Sequence, residues 1–182
     1  MINSRPKVQP VAVFLDRDGV LNRAIIKNNK PYPPANLGEL EIPGDVASSI
    51  FALKAAGFLT IVVTNQPDVA RGTTKRETVD LINHKLVDKL LLDDVFVCFH
   101  DDTDKCFCRK PQPGLLLMAA KQYGINLTNS YMIGDRWKDI EAGQSAGCRT
   151  IWIDHGYAEK VPLPDYKTTS LSDAVSWILK NI

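Results

Sequence analysis

The chain has 182 residues, 45% of them hydrophobic, and a formal net charge of +1. That length suits one domain, residues 1–182, and the apolar content excludes disorder, while the near-zero charge gives no general attraction to nucleic acid or to an anionic membrane. No apolar run approaches the roughly 18 residues of a membrane span. The polar opening MINSRPKVQP carries no secretory pattern, so the expected compartment is the cytoplasm.

VAVFL (Val11 to Leu15) is a continuously apolar run that ends at a polar DRDG, the pattern of a strand buried on both faces. The Pro- and Asn-rich stretch from Asn28 to Gly44 reads as a long loop. Val46, Ile50 and Leu53 recur at helical spacing, and Gly57 closes that helix. FLTIVVT (Phe58 to Thr64) is a second buried strand. Residues 74–92 form an amphipathic helix through Val79, Ile82, Leu86 and Leu90, with His84 on its exposed side. VFVCF (Val95 to Phe99) is a third strand. Pro113 and Gly114 open a helix that runs through Gln122. YMIG (Tyr131 to Gly134) and TIWI (Thr150 to Ile153) are further strands, separated by a helix from about Trp137 to Ala146. His155 to Thr169 reads as a loop, and Ser170 with Asp173 caps a last helix that ends near Lys180. Cys148 and the three tryptophans, Trp137, Trp152 and Trp177, fall within packing patterns.

Alternating strands and helices predict an α/β fold: a Rossmann-like, doubly wound, mostly parallel sheet. Ligands of such sheets bind at the carboxyl ends of the strands, where the strand order reverses. Those ends carry Asp16, Arg17, Asp18 and Gly19, then Thr64, Asn65 and Gln66, then Arg109 and Lys110, then Gly134, Asp135, Arg136 and Asp139. Carboxylates gathered in one place repel one another, and a hard divalent cation such as Mg²⁺ resolves the conflict. A lysine and a hydroxyl beside that ion suit the oxygens of a phosphoryl group. Two aspartates two apart permit one to attack phosphorus and the other to move protons. Any one of these motifs alone is commonly just a polar turn; their joint order carries the functional reading.

CFHDDTDKCFC places Cys98, His100, Cys106 and Cys108 within eleven residues, a donor set for a closed tetrahedral Zn²⁺ site. A disulfide between neighbours such as Cys106 and Cys108 is strained and leaves a thiol over. Reduced thiols without a metal and a redox role are the alternatives.

FLDRDGVLN, VVTNQ, CRKPQPG and IGDRWKDIEAG resemble, in this order, the four signature motifs of the haloacid dehalogenase superfamily of phosphatases. The match is to the branch with DRDG and a zinc loop, which includes heptose 1,7-bisphosphate 7-phosphatases and histidinol-phosphate phosphatases. The resemblance spans about Val11 to Ile153. It implies Asp16 as the nucleophile that forms an aspartyl-phosphate, Asp18 as general acid and base, and Thr64 and Lys110 on the transferring phosphoryl group. It implies Mg²⁺ held by the Asp16 carboxylate, the Asp18 backbone carbonyl and Asp135, with Asp139 orienting Lys110 or a metal-bound water. It also implies structural Zn²⁺ on Cys98, His100, Cys106 and Cys108. Asn65 and Gln66 are expected to contact phosphate, and Arg109 and Arg71 a second anionic group. A site role for His155 stays open. The stretches 19–64 and 66–109 leave no room for a cap domain, so loops must set specificity: residues 22–30, 68–71 and the zinc loop. The expected substrate is a small phosphorylated metabolite, foremost heptose 1,7-bisphosphate cleaved at C7. Histidinol phosphate, which the short zinc loop favours, or another phosphosugar is the alternative. No apolar seam stands out, so a monomer is expected.

Overall fold

The computed structural model describes residues 9–28 and 30–182. The opening segment 1–8, part of the polar stretch read above, lies outside the described residues. Its centre is a six-stranded parallel sheet. The strands are β1 (Ala12–Leu15), β4 (Leu59–Asn65), β5 (Asp94–Cys98), β6 (Tyr131–Gly134), β7 (Arg149–Ile153) and β8 (Tyr166–Thr168). Their order is β5-β4-β1-β6-β7-β8, and every pairing is parallel. The chain begins in the middle at β1 and winds outward both ways. The order therefore reverses at β1, which sets the crevice at its carboxyl end.

Successive residues of a strand face opposite sides, and β1 shows why an all-apolar run was needed there. Val13 and Leu15 join one core with Ile50 and Leu53 of α1 (Val46–Ala55), Leu86 of α2 (Arg76–Leu90) and Ile178 of α5 (Leu171–Lys180). Ala12 and Phe14 join the other with Leu116 of α3 (Gly114–Tyr123) and Ala142 of α4 (Trp137–Ala146). Each fully buried Leu, Ile or Phe contributes about 1.5–3 kcal/mol, so both faces anchor the strand whose end carries Asp16. The hydroxyl of Ser170 accepts a hydrogen bond from the Asp173 amide at 3.2 Å and caps α5 as expected. Cys148 is buried, His84 is exposed, and Trp177 stacks on Tyr166 with ring centres 5.0 Å apart.

Two expectations need correction. The segment read as one long loop begins inside a hairpin, β2 (Ile25–Lys27) and β3 (Lys30–Tyr32), and includes a 3₁₀ turn at Leu37–Glu39. The hairpin is short and mostly exposed, so it has no apolar run to betray it. The tail 155–169 is not all loop, because β8 closes the edge of the sheet beside β7. The remaining connections match: among the described residues, only the hairpin, the 3₁₀ turn and α1 lie between β1 and β4, and only α2 between β4 and β5. Neither holds a cap domain.

Candidate active site

The carboxyl ends of β1, β4 and β6 and the segment after the cysteine loop meet in one cleft of about 520 Å³. Its walls include Asp16, Asp18, Thr64, Asn65, Arg71, Arg109, Lys110, Asp135 and Asp139.

At the floor lies Lys110, almost fully buried. Its ammonium group is 2.8 Å from Asp16 Oδ1 and 2.6 Å from Asp139 Oδ1, and it donates to the Val63 carbonyl at 2.7 Å. Burial alone would lower its pKa, but the Asp139 and Asp16 carboxylates outweigh that and raise it. Lys110 is thus a fixed cation. Its backbone is held by Asn65, whose Nδ2 donates to the Lys110 carbonyl at 2.9 Å while its Oδ1 accepts from the Lys110 amide at 3.1 Å. Asp139 also accepts from the Arg136 amide at 3.0 Å, closing the first turn of α4.

Two glycines make this convergence possible. Gly19 has a φ of +89°, and a Cβ there would stand 2.1 Å from Asp135 Oδ2. A Cβ on Gly134 would stand 2.1 Å from the Asp139 Cβ.

Asp135 is the most exposed to conflict. Burial raises its carboxyl well above the usual range, and the charges of Asp16 and Asp139 add to the effect. Burial likewise pushes Asp16 up to about 7 against the pull of Lys110. Asp135 Oδ1 is buried without a hydrogen-bond partner. Ligand oxygens of Asp16, Asp135 and Asp139 lie within 4.8 Å of one another. A buried orphan carboxylate oxygen beside a second carboxylate fits a small hard cation with oxygen ligands. Since Asp139 is engaged by Lys110 and the Arg136 amide, Asp16 and Asp135 are the carboxylates that suit it best.

Asp18 is held apart from this cluster. Its Oδ2 accepts from Gln66 Nε2 at 2.8 Å and Arg17 Nη2 at 3.0 Å, and its Oδ1 from Asn22 Nδ2 at 3.0 Å. Gln66 Nε2 also donates to the Thr64 hydroxyl at 2.9 Å. The Gln66 and Asn65 side chains therefore work on other protein groups. Sequence reasoning placed Arg17 at the strand end without a role, put Asn22 only in a specificity loop, and passed over Asn83. Arg17 is fully buried and donates through Nη1 to Asn83 of α2 at 2.9 Å. The signal was present: strand alternation sends the residue between two pocket-facing aspartates inward, where a guanidinium must find partners.

At the mouth, Arg109 Nε donates to Asp102 Oδ1 at 2.8 Å and Nη1 to the His100 carbonyl at 3.2 Å. Arg71 pairs with Asp101 at 2.5 Å and with Asp68 at 3.4 Å. Arg136 pairs with Glu159. His155 lies against the Gly19 turn, its Nε2 2.7 Å from the Gly19 carbonyl. It is not among the residues lining the cleft.

The cysteine loop gathers as expected. Cys108 Sγ is 3.3 Å from Cys98 Sγ, 3.4 Å from Cys106 Sγ and 3.4 Å from His100 Nδ1, with Cys98 and Cys106 3.7 Å apart. These spacings exceed a disulfide's roughly 2.05 Å. They approach the edge of a tetrahedron of about 2.3 Å metal–sulfur bonds, near 3.8 Å. The donor set fits Zn²⁺. Burial and the neighbouring Cys108 thiol push Cys98 up, a conflict that a bound cation reverses.

A doubly wound sheet without a cap, carrying paired aspartates, a buried lysine and an open carboxylate pair at its switch point, defines a phosphoric monoester hydrolase. Residues 107–176 match the HAD-hydrolase-like family model. A D-glycero-D-manno-heptose-1,7-bisphosphate 7-phosphatase of Thermosynechococcus vestitus is 30% identical, over 94% of this chain and 96% of its own. A D-glycero-beta-D-manno-heptose-1,7-bisphosphate 7-phosphatase of Rhodopseudomonas palustris is 36% identical, over 75% of this chain and 79% of its own. The solved D,D-heptose 1,7-bisphosphate phosphatase of B. bronchiseptica, in complex with magnesium and phosphate, superposes with a TM-score of 0.81 at 25% identity, covering 94% of this chain and 99% of that one. The chain belongs to the haloacid dehalogenase-like phosphatases, in the branch that includes these heptose bisphosphate phosphatases.

Proposed function

We propose that the protein is a Mg²⁺-dependent phosphatase that removes the C7 phosphate of D-glycero-D-manno-heptose 1,7-bisphosphate. One observation carries the chemistry: a buried lysine on Asp16, beside the unpartnered oxygen of Asp135. The relatives named above supply the substrate class.

Asp16 and Asp135, with the Asp18 backbone carbonyl, would hold Mg²⁺, which when bound offsets the negative charge of carboxylates and phosphate. Asp16 attacks phosphorus, and the P–O bond to the sugar breaks. Lys110 and the Thr64 hydroxyl steady the phosphoryl oxygens. Asp18, two residues on and positioned by Gln66, Arg17 and Asn22, gives a proton to the leaving oxygen. It then takes one from the water that cleaves the aspartyl-phosphate. Asn65 works through Lys110, keeping its backbone in register. Arg109 meets the distal phosphate, with Arg71 further out. Zn²⁺ on Cys98, His100, Cys106 and Cys108 would stiffen the loop that carries Arg109, a need made sharper by the absence of a cap.

The five-residue span between His100 and Cys106 favours histidinol phosphate as the second reading. Borohydride trapping of the enzyme during turnover, followed by peptide mass spectrometry, tests the nucleophile. Asp16 must be recovered as homoserine, and reduction at another carboxylate, or at none while substrate turns over, would contradict a covalent intermediate on this residue.

A further inference from the structure

The cations at the mouth of the cleft do not stand free; several converge on one carboxylate. Asp102 Oδ1 is 2.8 Å from Arg109 Nε and 3.5 Å from Lys138 Nζ, and Asp102 Oδ2 is 3.8 Å from Arg71 Nη2. These four residues all line the cleft. The asymmetry of burial is informative. The Arg109 side chain is 10% exposed and Lys138 30%, whereas Asp102 is 65% exposed. Asp102 sits in the short 3₁₀ turn Asp102–Asp104 at the rim of the cysteine loop. Arg109 and Lys138 are built in, and the carboxylate reaches over from an exposed rim position.

We propose that Asp102 is an internal stand-in for the distal phosphate of a sugar bisphosphate. It occupies the anion subsite formed by Arg109 and Lys138, with Arg71 at its edge, and swings out when that phosphate arrives. This rests on the bisphosphate reading and deepens it. A carboxylate carries one negative charge and a phosphate close to two, so two cations favour the exchange, while a substrate lacking the distal anion cannot displace Asp102. The carboxylate thereby sets a threshold: its displacement costs every distal anion the same, and only an anion that gains more from Arg109 and Lys138 than Asp102 does clears it, which makes it a specificity-determining residue. Sequence reasoning assigned Arg109 to a second anionic group but gave no role to Lys138 or Asp102.

The test uses the full-length, metal-loaded protein with Mg²⁺. For wild type and Asp102→Asn, kcat and KM are measured on heptose 1,7-bisphosphate and on p-nitrophenyl phosphate, which has no distal anion. Asparagine keeps the shape and the acceptor oxygen but loses the charge. The ratio of kcat/KM, bisphosphate over p-nitrophenyl phosphate, should rise about threefold, the scale of a partly exposed ion pair. The change should lie in KM, and it should shrink at high ionic strength. Lys138→Gln should lower the same ratio. An unchanged ratio in Asp102→Asn would overturn the proposal. So would a fall, which would mean that Asp102 props Arg109 or binds a substrate ammonium group. If wild type does not turn over the heptose bisphosphate, the substrate assignment fails separately. The Asp102 claim is then read from competitive inhibition of p-nitrophenyl phosphate hydrolysis by fructose 1,6-bisphosphate. Its inhibition constant must drop in Asp102→Asn, and no drop rejects the claim.

Discussion

Replacing Lys110 by methionine keeps most of the side chain's volume and removes its charge. The two ion pairs it makes, at 2.8 Å and 2.6 Å, have a Coulomb energy of about 6 kcal/mol each at an effective dielectric of about 20. Desolvation of three buried groups offsets most of that gain, so the pairs add little net stability while intact. Breaking them is different, because Asp16, Asp135 and Asp139 are then left together without a cation. That leaves a loss of about 3–5 kcal/mol. At about 2–4 °C per kcal/mol for a chain of this size, the melting temperature in chelator falls by about 6–20 °C. Excess Mg²⁺ should restore part of it, and more than it adds to wild type, because the ion binds only the folded state and now relieves a larger repulsion. Turnover at saturating Mg²⁺ should fall by about 10²–10³-fold, the usual cost of one preorganised donor to a transferring group. Differential scanning calorimetry with and without Mg²⁺, beside steady-state turnover of p-nitrophenyl phosphate, reads all three quantities. A shift under 2 °C in chelator, or activity within about tenfold of wild type, would refute the account of Lys110 as the balancing charge of the cluster.

Gly19→Ala should drive the new methyl into Asp135, since a Cβ would lie 2.1 Å from its Oδ2 at a φ of +89°. The Mg²⁺ concentration for half-maximal activity should rise by about 10-fold or more; an unaltered Mg²⁺ titration would contradict the placement of Asp135. Cys108 has the shortest contacts among the three cysteines and one histidine of the cluster, and Cys108→Ser should reduce bound zinc, measured by plasma mass spectrometry, from about one equivalent to a small fraction. Because the same loop carries Arg109 and Asp102, KM for a bisphosphate should rise more than KM for p-nitrophenyl phosphate, and equal KM values at lost zinc would speak against the loop's role.

The buried strands were legible because a strand covered on both faces leaves an uninterrupted apolar run, as in VAVFL and TIVV. The same physics explains what escaped notice. Ile25–Lys27 and Lys30–Tyr32 pair with each other away from the main sheet, and Pro31 in the second strand reads as a loop signal. Tyr166–Thr168 is an edge strand of three residues, two of them polar, with no run to detect. In the site, Asp16, Thr64, Lys110 and Asp135 were legible because each follows a buried strand or a recognisable motif. Arg17 had a signal in the strand alternation but was given no role; Asn22 holds Asp18 from four residues away and Asn83 holds Arg17 from 66, and no local pattern encodes either contact. Asp102 carried no individual reading from the sequence, and only its convergence with Arg109 and Lys138 gave it a role.

The most direct measurement follows heptose 1,7-bisphosphate by ³¹P nuclear magnetic resonance during turnover with Mg²⁺, beside a panel that includes histidinol phosphate. The account predicts loss of the C7 signal with retention of the C1 phosphate, a kcat/KM above every other ester on the panel, and no turnover by Asp16→Asn. Loss of the C1 phosphate, faster hydrolysis of histidinol phosphate, or undiminished turnover by Asp16→Asn would contradict it.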